Sequence, residues 1–399
     1  MKGLLNMQKK HLLTALALYS LSAVLSFSAF SYMEKSKVVV PGNGSKGETL
    51  LEALLKIDPN EPRDQACPLN GQLYTQTEKN AWEQRRPLFV MIENHPEARP
   101  QAGLSRADVV FEAIAEGGVT RFGALFYCAA QIQDLQLAPI RSARTYFLDW
   151  ASGYNFPMYV HVGGANVAGP TDALGQIADY GWGLENDVNQ FSVGYPTFIR
   201  DYNRVPGKEL ATEHTMVTTT EKLWAIAEER EWTNMSPDRI VNRRVVPGTD
   251  WLTGFKPWAF EDLAPAAGNV GQVAYGFWEG FGDYSLEWKY DATKDAYLQT
   301  MGNQASIDQN NDEQIAAKNV VVLFATEKGP INEKKHMLYG TTGTGDALIF
   351  KHGEVIEATW TKKTRTDELR FVDSRGQDIP MARGLTWISV VGIGTDVTY

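Results

Sequence analysis

The sequence is short of charge and of cysteine, and it lacks the motifs that mark the commoner chemistries. Only 22% of its 399 residues are charged, and 38 lysines and arginines stand against 48 acids for a net charge of −10. Neither half is basic enough to clamp a polyanion, so nucleic acid is not an expected partner. There is no Gly-x-Ser-x-Gly nucleophile elbow, no zinc-protease motif and no phosphate-binding P-loop. The glycine-rich Gly340 to Gly345 leads into a strand pattern rather than a helix, so it reads as a turn. No internal repeat is visible, and no cofactor is expected.

What is present is the composition of a folded protein, 43% apolar and 11% aromatic. At about 150 residues per domain, the length allows two domains or three small ones. Lys2, Lys9 and Lys10 precede His11 to Met33, a run of 23 residues with no formal charge until Glu34. As a helix this run would reach about 35 Å, against a hydrocarbon core of roughly 30 Å. The leading lysines place residues 1–10 in the cytoplasm and the body outside it. A cleaved secretory signal is the alternative, because Ala29-Phe30-Ser31 offers small residues at the spacing a signal peptidase needs. The length of the run favours a membrane anchor through residues 11–33.

An extracytoplasmic body puts Cys67 and Cys128 in an oxidising compartment, where they can close a disulfide. Two unrelated buried thiols are the alternative. Neither cysteine has a second one nearby, which weakens metal ligation.

Residues 34–63, with Pro41-Gly42-Asn43-Gly44 and an amphipathic piece over 48–57, read as a tether. Over 64–245 the pattern alternates strands (87–93, 109–114, 119–127, 157–162) with helices (171–180, 219–229), an α/β or α+β arrangement. From 272 to 399 the strands come as hairpins (320–325, 347–351, 355–361, 369–372, 385–391), a mostly antiparallel β domain. Pro247-Gly248, Pro257 and Ala264 to Gly268 interrupt any period over 246–271 and mark a linker. Trp278, Trp288, Trp360 and Trp387 read as β-core rather than as a sugar-stacking strip.

The stretch Arg86 to Phe126, then Pro139 to Tyr146, Tyr159 to Gly164, Phe198 to Arg204 and Glu213-His214, resembles the first domain of the YerB-like bacterial lipoproteins. Lys318 to Val322, Gly343 to Phe350, His352 to Trp360, Phe371 to Asp373, Gly376 and Gly384 to Ile388 resemble that family's second domain. The resemblance implies an exported, usually lipid-anchored protein of unknown biochemical function. This sequence departs from that pattern, since no cysteine follows the apolar run for a lipid to attach to.

The residues supply the candidate chemistry. A two-residue Gly117-Gly118 turn would pair Glu116 with Val119, Ile114 with Arg121 and Glu112 with Gly123, setting Glu112, Glu116 and Arg121 on one face. That set reads either as a structural ion-pair ladder or as the rim of a polar site. Ser142 is placed to cap a helix beginning at Thr145, and Arg141 and Arg144 beside that helix N-terminus suggest an anion site, with Arg121 and Arg99 converging on it. The blander alternative pairs these arginines with Asp108 or Asp149. His161 ends a strand at Gly163-Gly164, a loop type that lets backbone approach a ligand. His95, His161 and His214 have no recognised metal-ligand spacing, so no metal is expected and structural roles are the first reading. Arg200 and Asp201 complete the set as secondary candidates.

Two functions remain. The first is a binding module for an anionic envelope component or a protein partner. The second is a cell-envelope enzyme acting on a phosphate-bearing or glycan substrate, with Glu112 or Glu116 as acid/base and His161 as proton carrier.

Overall fold

The structure, a computed structural model, describes residues 58–399 except Pro59, Ile132, Asn242 and residues 263–267. The expected anchor over 11–33 and the amphipathic piece over 48–57 lie outside the described residues. Among the described residues no helix is long and apolar enough to cross a membrane.

Helices are few and sheet dominates. The central sheet has ten strands: β1 (Leu88–Glu93), β2 (Val109–Glu116), β3 (Val119–Phe126), β4 (Met158–His161), β5 (Asp187–Asn189), β6 (Asn319–Ala325), β7 (Gly343–Lys351), β8 (Glu354–Lys362), β9 (Arg370–Val372) and β10 (Thr386–Gly392). Their order across the sheet is β9-β8-β7-β6-β10-β2-β3-β1-β4-β5. The β6–β10, β10–β2, β1–β4 and β4–β5 pairs are parallel and the rest antiparallel. Strand β10, near the end of the chain, therefore seats the first sequence half against the second. The unbroken apolar run of β1 follows from burial on both faces, since all six of its residues are buried.

The turn between β2 and β3 has Gly117 at φ 55° and Gly118 at φ 87°, a conformation that side-chain-bearing residues rarely adopt. Helix α1 (Thr145–Ser152) buries Tyr146, Phe147, Leu148, Trp150 and Ala151. A six-stranded antiparallel sheet built from residues 272–317 and 397–398 packs near β10. There Trp288 meets Trp387 edge-on at 5.5 Å, and Phe122 meets Trp387 at 5.2 Å. Trp288, Trp360 and Trp387 are core, while Trp278 is half-buried and donates to Glu327. Within 246–271, Trp251 is fully buried and Phe260–Glu261 pairs with Met381–Ala382. Cys67 and Cys128 form a disulfide that ties the chain before β1 to the end of β3, with Cα atoms 6.0 Å apart.

Candidate functional site

The β2–β3 register is offset by a bulge between Ile114 and Glu116. Beyond it Ile114 faces Thr120, Ala113 faces Arg121 and Glu112 faces Phe122, one residue away from the expected pairing. Because side chains alternate along a strand, that single extra residue sends Glu112 to the face opposite Arg121. Glu116, beyond the bulge, stays with Arg121. The expected three-residue face is thus corrected to two separate sites.

On the first face Glu116 bridges two buried arginines. Arg121 Nη2 donates to Glu116 Oε1 at 2.9 Å, and Arg144 Nη2 donates to Oε2. Arg121 also donates to Ser142 O, and Arg144 to Ala143 O. Burial alone would raise the Glu116 carboxyl, but the two guanidinium groups outweigh it and bring the pKa down to about 2. The Nε atoms of Arg121 and Arg144 are buried without a partner among the described residues. His336 pairs across from Glu116; burial first, then Arg144, pushes its pKa down. Its Nδ1 lies 3.1 Å from the Asn332 amide, which also donates to Thr171.

The helix after these arginines is capped differently from expectation. Arg144 occupies the N-cap of α1 with no side-chain cap bond, and Ser142 contributes its carbonyl to Arg121. Arg141 is drawn off to Glu93, Nε to Oε1 at 3.0 Å. His161 is fully buried, its Nδ1 2.6 Å from Gly163 O and its Nε2 2.6 Å from Asp187 Oδ1. Gly163 O also accepts from Ala143 N, and a Cβ on Gly164 would stand 2.8 Å from Leu174. His161, Gly163 and Gly164 thus hold the backbone beneath Arg144. Arg200 is exposed at the end of the short strand Ile199–Arg200, donating to Thr212 O and Thr215, and Asp201 just after it accepts from Asn203 N, so neither joins the arginine cluster.

On the opposite face Glu112 is fully buried. It accepts from Thr120 at 2.8 Å, Trp387 Nε1 at 3.1 Å and Asn94 Nδ2 at 3.3 Å. Burial dominates over these donors and pushes its pKa up to about 7. Asn94 in turn lines a cavity of about 250 Å³. The cavity wall includes Arg99, Gln101, Phe122, Lys208, Gln299 and Met301, and no acidic side chain is among its lining residues. Arg99 is held by Asn94 Oδ1 and O and lies 5.3 Å over the Tyr284 ring. Lys208 donates to Pro96 O and Arg99 O; burial, then Arg204, lowers its pKa. Gln299 Nε2 is buried with no partner among the described residues. Two cations and several amides around a small cavity with no lining acid can recognise an anion.

Residues 73–233 match the family described as "Protein of unknown function (DUF3048) N-terminal domain", and residues 279–388 match its C-terminal domain. The chain belongs to this family. It is 29% identical over 334 residues to "Putative lipoprotein YerB" of Bacillus subtilis (strain 168), an alignment covering 84% of this chain and 88% of the relative. The crystal structure of YerB protein from Bacillus subtilis has the same fold, with a TM-score of 0.64 at 24% identity over 84% of this chain and 100% of that one.

Within this DUF3048 chain the sequence reading picked out Arg99 but missed Lys208, Gln101 and Gln299. The 299–315 segment reaches Arg99 through long-range ties: Asp308 accepts from Gly103 N, Ser105 N and the Ser105 hydroxyl, and Gln309 N donates to Gln101 O. No local period announces such a meeting. His95 and His214 do come together, their rings 5.1 Å apart, whereas His161 lies elsewhere on Asp187.

Proposed function

We propose that this DUF3048 chain is an extracytoplasmic binding module that holds a small anionic ligand, or the anionic headgroup of a larger envelope component, between Arg99 and Lys208. The carrying observation is the cavity wall, where Arg99 and Lys208 occur without a lining acid. By contrast, the Arg121–Arg144 pair is already closed on Glu116 and serves the fold. Extracytoplasmic placement is supported by the lysine-led apolar run over 11–33, the Cys67–Cys128 disulfide and the name of the Bacillus subtilis relative. A membrane anchor through 11–33 is part of the same proposal. Deleting residues 1–33 should release the chain from the membrane fraction of cells; retention there would remove the anchor.

The ligand is tested by calorimetric titration of phosphates, lipid-linked sugars and wall fragments against wild type and Arg99→Gln. Loss of one charge-assisted contact, worth about 1.5–3 kcal/mol, predicts binding weakened at least tenfold with little change in melting temperature. Equal affinity in both proteins would refute the site.

One observation favours an enzyme instead: Glu112, raised to about 7, bonds to Asn94 on the cavity wall. A general acid working near neutral pH needs such a value. In that reading Glu112→Gln abolishes turnover of a phosphate-bearing or glycan substrate and preserves its binding. In the binding-module reading no turnover is found with either protein.

A further inference from the structure

His95, Glu97 and His214 each offer a ligand atom, and these atoms lie within 4.8 Å of one another. Glu97 and His95 share the short turn Pro96–Ala98, with His95 at its N-cap, while His214 arrives from the turn Thr212–His214. Their side chains stand on one spot although 119 positions separate His95 from His214.

A second feature is independent of this clustering. His214 Nδ1 lies 2.9 Å from Glu93 Oε2, and the other Glu93 oxygen is fixed by Arg141. Both Glu93 and His214 are buried. A carboxylate on one imidazole nitrogen sets the tautomer and turns the other nitrogen outward, as occurs behind metal-bound histidines. Here the outward nitrogen, His214 Nε2, lies 3.6 Å from Glu97 Oε2. In a tetrahedral zinc site two such ligands, each roughly 2.0–2.1 Å from the metal, stand about 3.3 Å apart. That edge is nearly at ligand spacing. The remaining closure falls first to Glu97, which is 70% exposed, and then to a turn of the His95 ring, which stacks on His214 and whose Nδ1 accepts from Glu97 N, leaving its Nε2 as the ligand atom.

We propose that His95, Glu97 and His214 form a site for a divalent transition metal, zinc in the first instance, with Glu93 orienting His214. Two imidazoles and a carboxylate are a donor set that suits zinc and leaves a fourth position open. The nearby charges are mixed: Glu93 bonds to Arg141 and also faces Arg204, Glu97 faces Lys208, and Glu213 faces His214, Arg141 and His95. The inference stands on these residues alone and is independent of the anion cavity.

The test is zinc titration of the purified full chain in competition with a chromophoric chelator, together with metal content after gel filtration. Wild type should retain one zinc per chain. His95→Ala and Glu97→Ala should each weaken binding at least tenfold; the exposed Glu97 should do so without moving the melting temperature, while His95→Ala also loses its cap bond to Glu97 N and its stacking on His214 and should lower it slightly. Glu93→Gln should weaken it 10- to 100-fold, as expected of a partner behind the ligand. A second histidine with two carboxylate neighbours, His352 beside Asp295 and Glu261, supplies the control. His352→Ala should leave zinc binding intact. No stoichiometric zinc, binding unchanged in His95→Ala and Glu97→Ala, or loss only in His352→Ala would each overturn the proposal.

Discussion

Glu116 holds together two guanidinium groups that would otherwise repel each other in a buried setting. Removing one member of such a buried cluster leaves uncompensated charge and typically costs about 3–5 kcal/mol. Glu116→Gln is therefore expected to lower the melting temperature strongly at neutral pH. The sign of its pH dependence follows from the depressed pKa of about 2. The ionised form is favoured in the folded state, so its stabilisation is complete above the ordinary carboxylate value. It is lost as pH falls from about 4.5 through about 2. Thermal melts of wild type and Glu116→Gln over that window should converge, and a constant gap would show that the ion pairs contribute nothing. At this scale Glu116, Arg121 and Arg144 were legible as a cluster, because a Gly-Gly turn and a strand period put the first two on one face. Glu112 was misplaced because the bulge residue makes no signal of its own: Ala115 is ordinary strand sequence, and the choice to bulge is made by what packs on each face.

Among elements, the strands read directly from apolar runs agree with the structure to within a few residues, as in β1 and β6, because burial on both faces forces continuous hydrophobicity. The helix at Thr145 was legible too, but its cap was not. Arg144 is pulled toward Glu116, and that tertiary contact sets where the helix starts regardless of the Ser142 hydroxyl. The Cys67–Cys128 bridge spans 61 positions. Closing a loop of that length removes denatured-state entropy worth about 4 kcal/mol in the chain-entropy model. A Cys67→Ser/Cys128→Ser double variant should show that loss in denaturant titration, and an unchanged midpoint would mean that contacts around Asp108 and Asn70 suffice to hold the segment.

For the whole molecule, what matters is that β10 lies between β6 and β2, so the two sequence-matched portions share one sheet. Strand order of this kind is invisible to local patterning, which sees hairpins but not which distant strand completes a parallel pair. It predicts one cooperative unfolding transition, with tryptophan fluorescence and far-ultraviolet circular dichroism coinciding in urea; two separated transitions would show that the portions fold independently. The cavity also belongs to this scale, because its cations come from residues 99 and 208 and another part of its wall from residue 299. The most direct measurement is a crystal structure of the protein grown with pyrophosphate. The account predicts the anion in the cavity, within hydrogen-bond distance of the Arg99 guanidinium and Lys208 Nζ. Pyrophosphate bound at another site, with Arg99 still turned only to Asn94 and Tyr284, would contradict it.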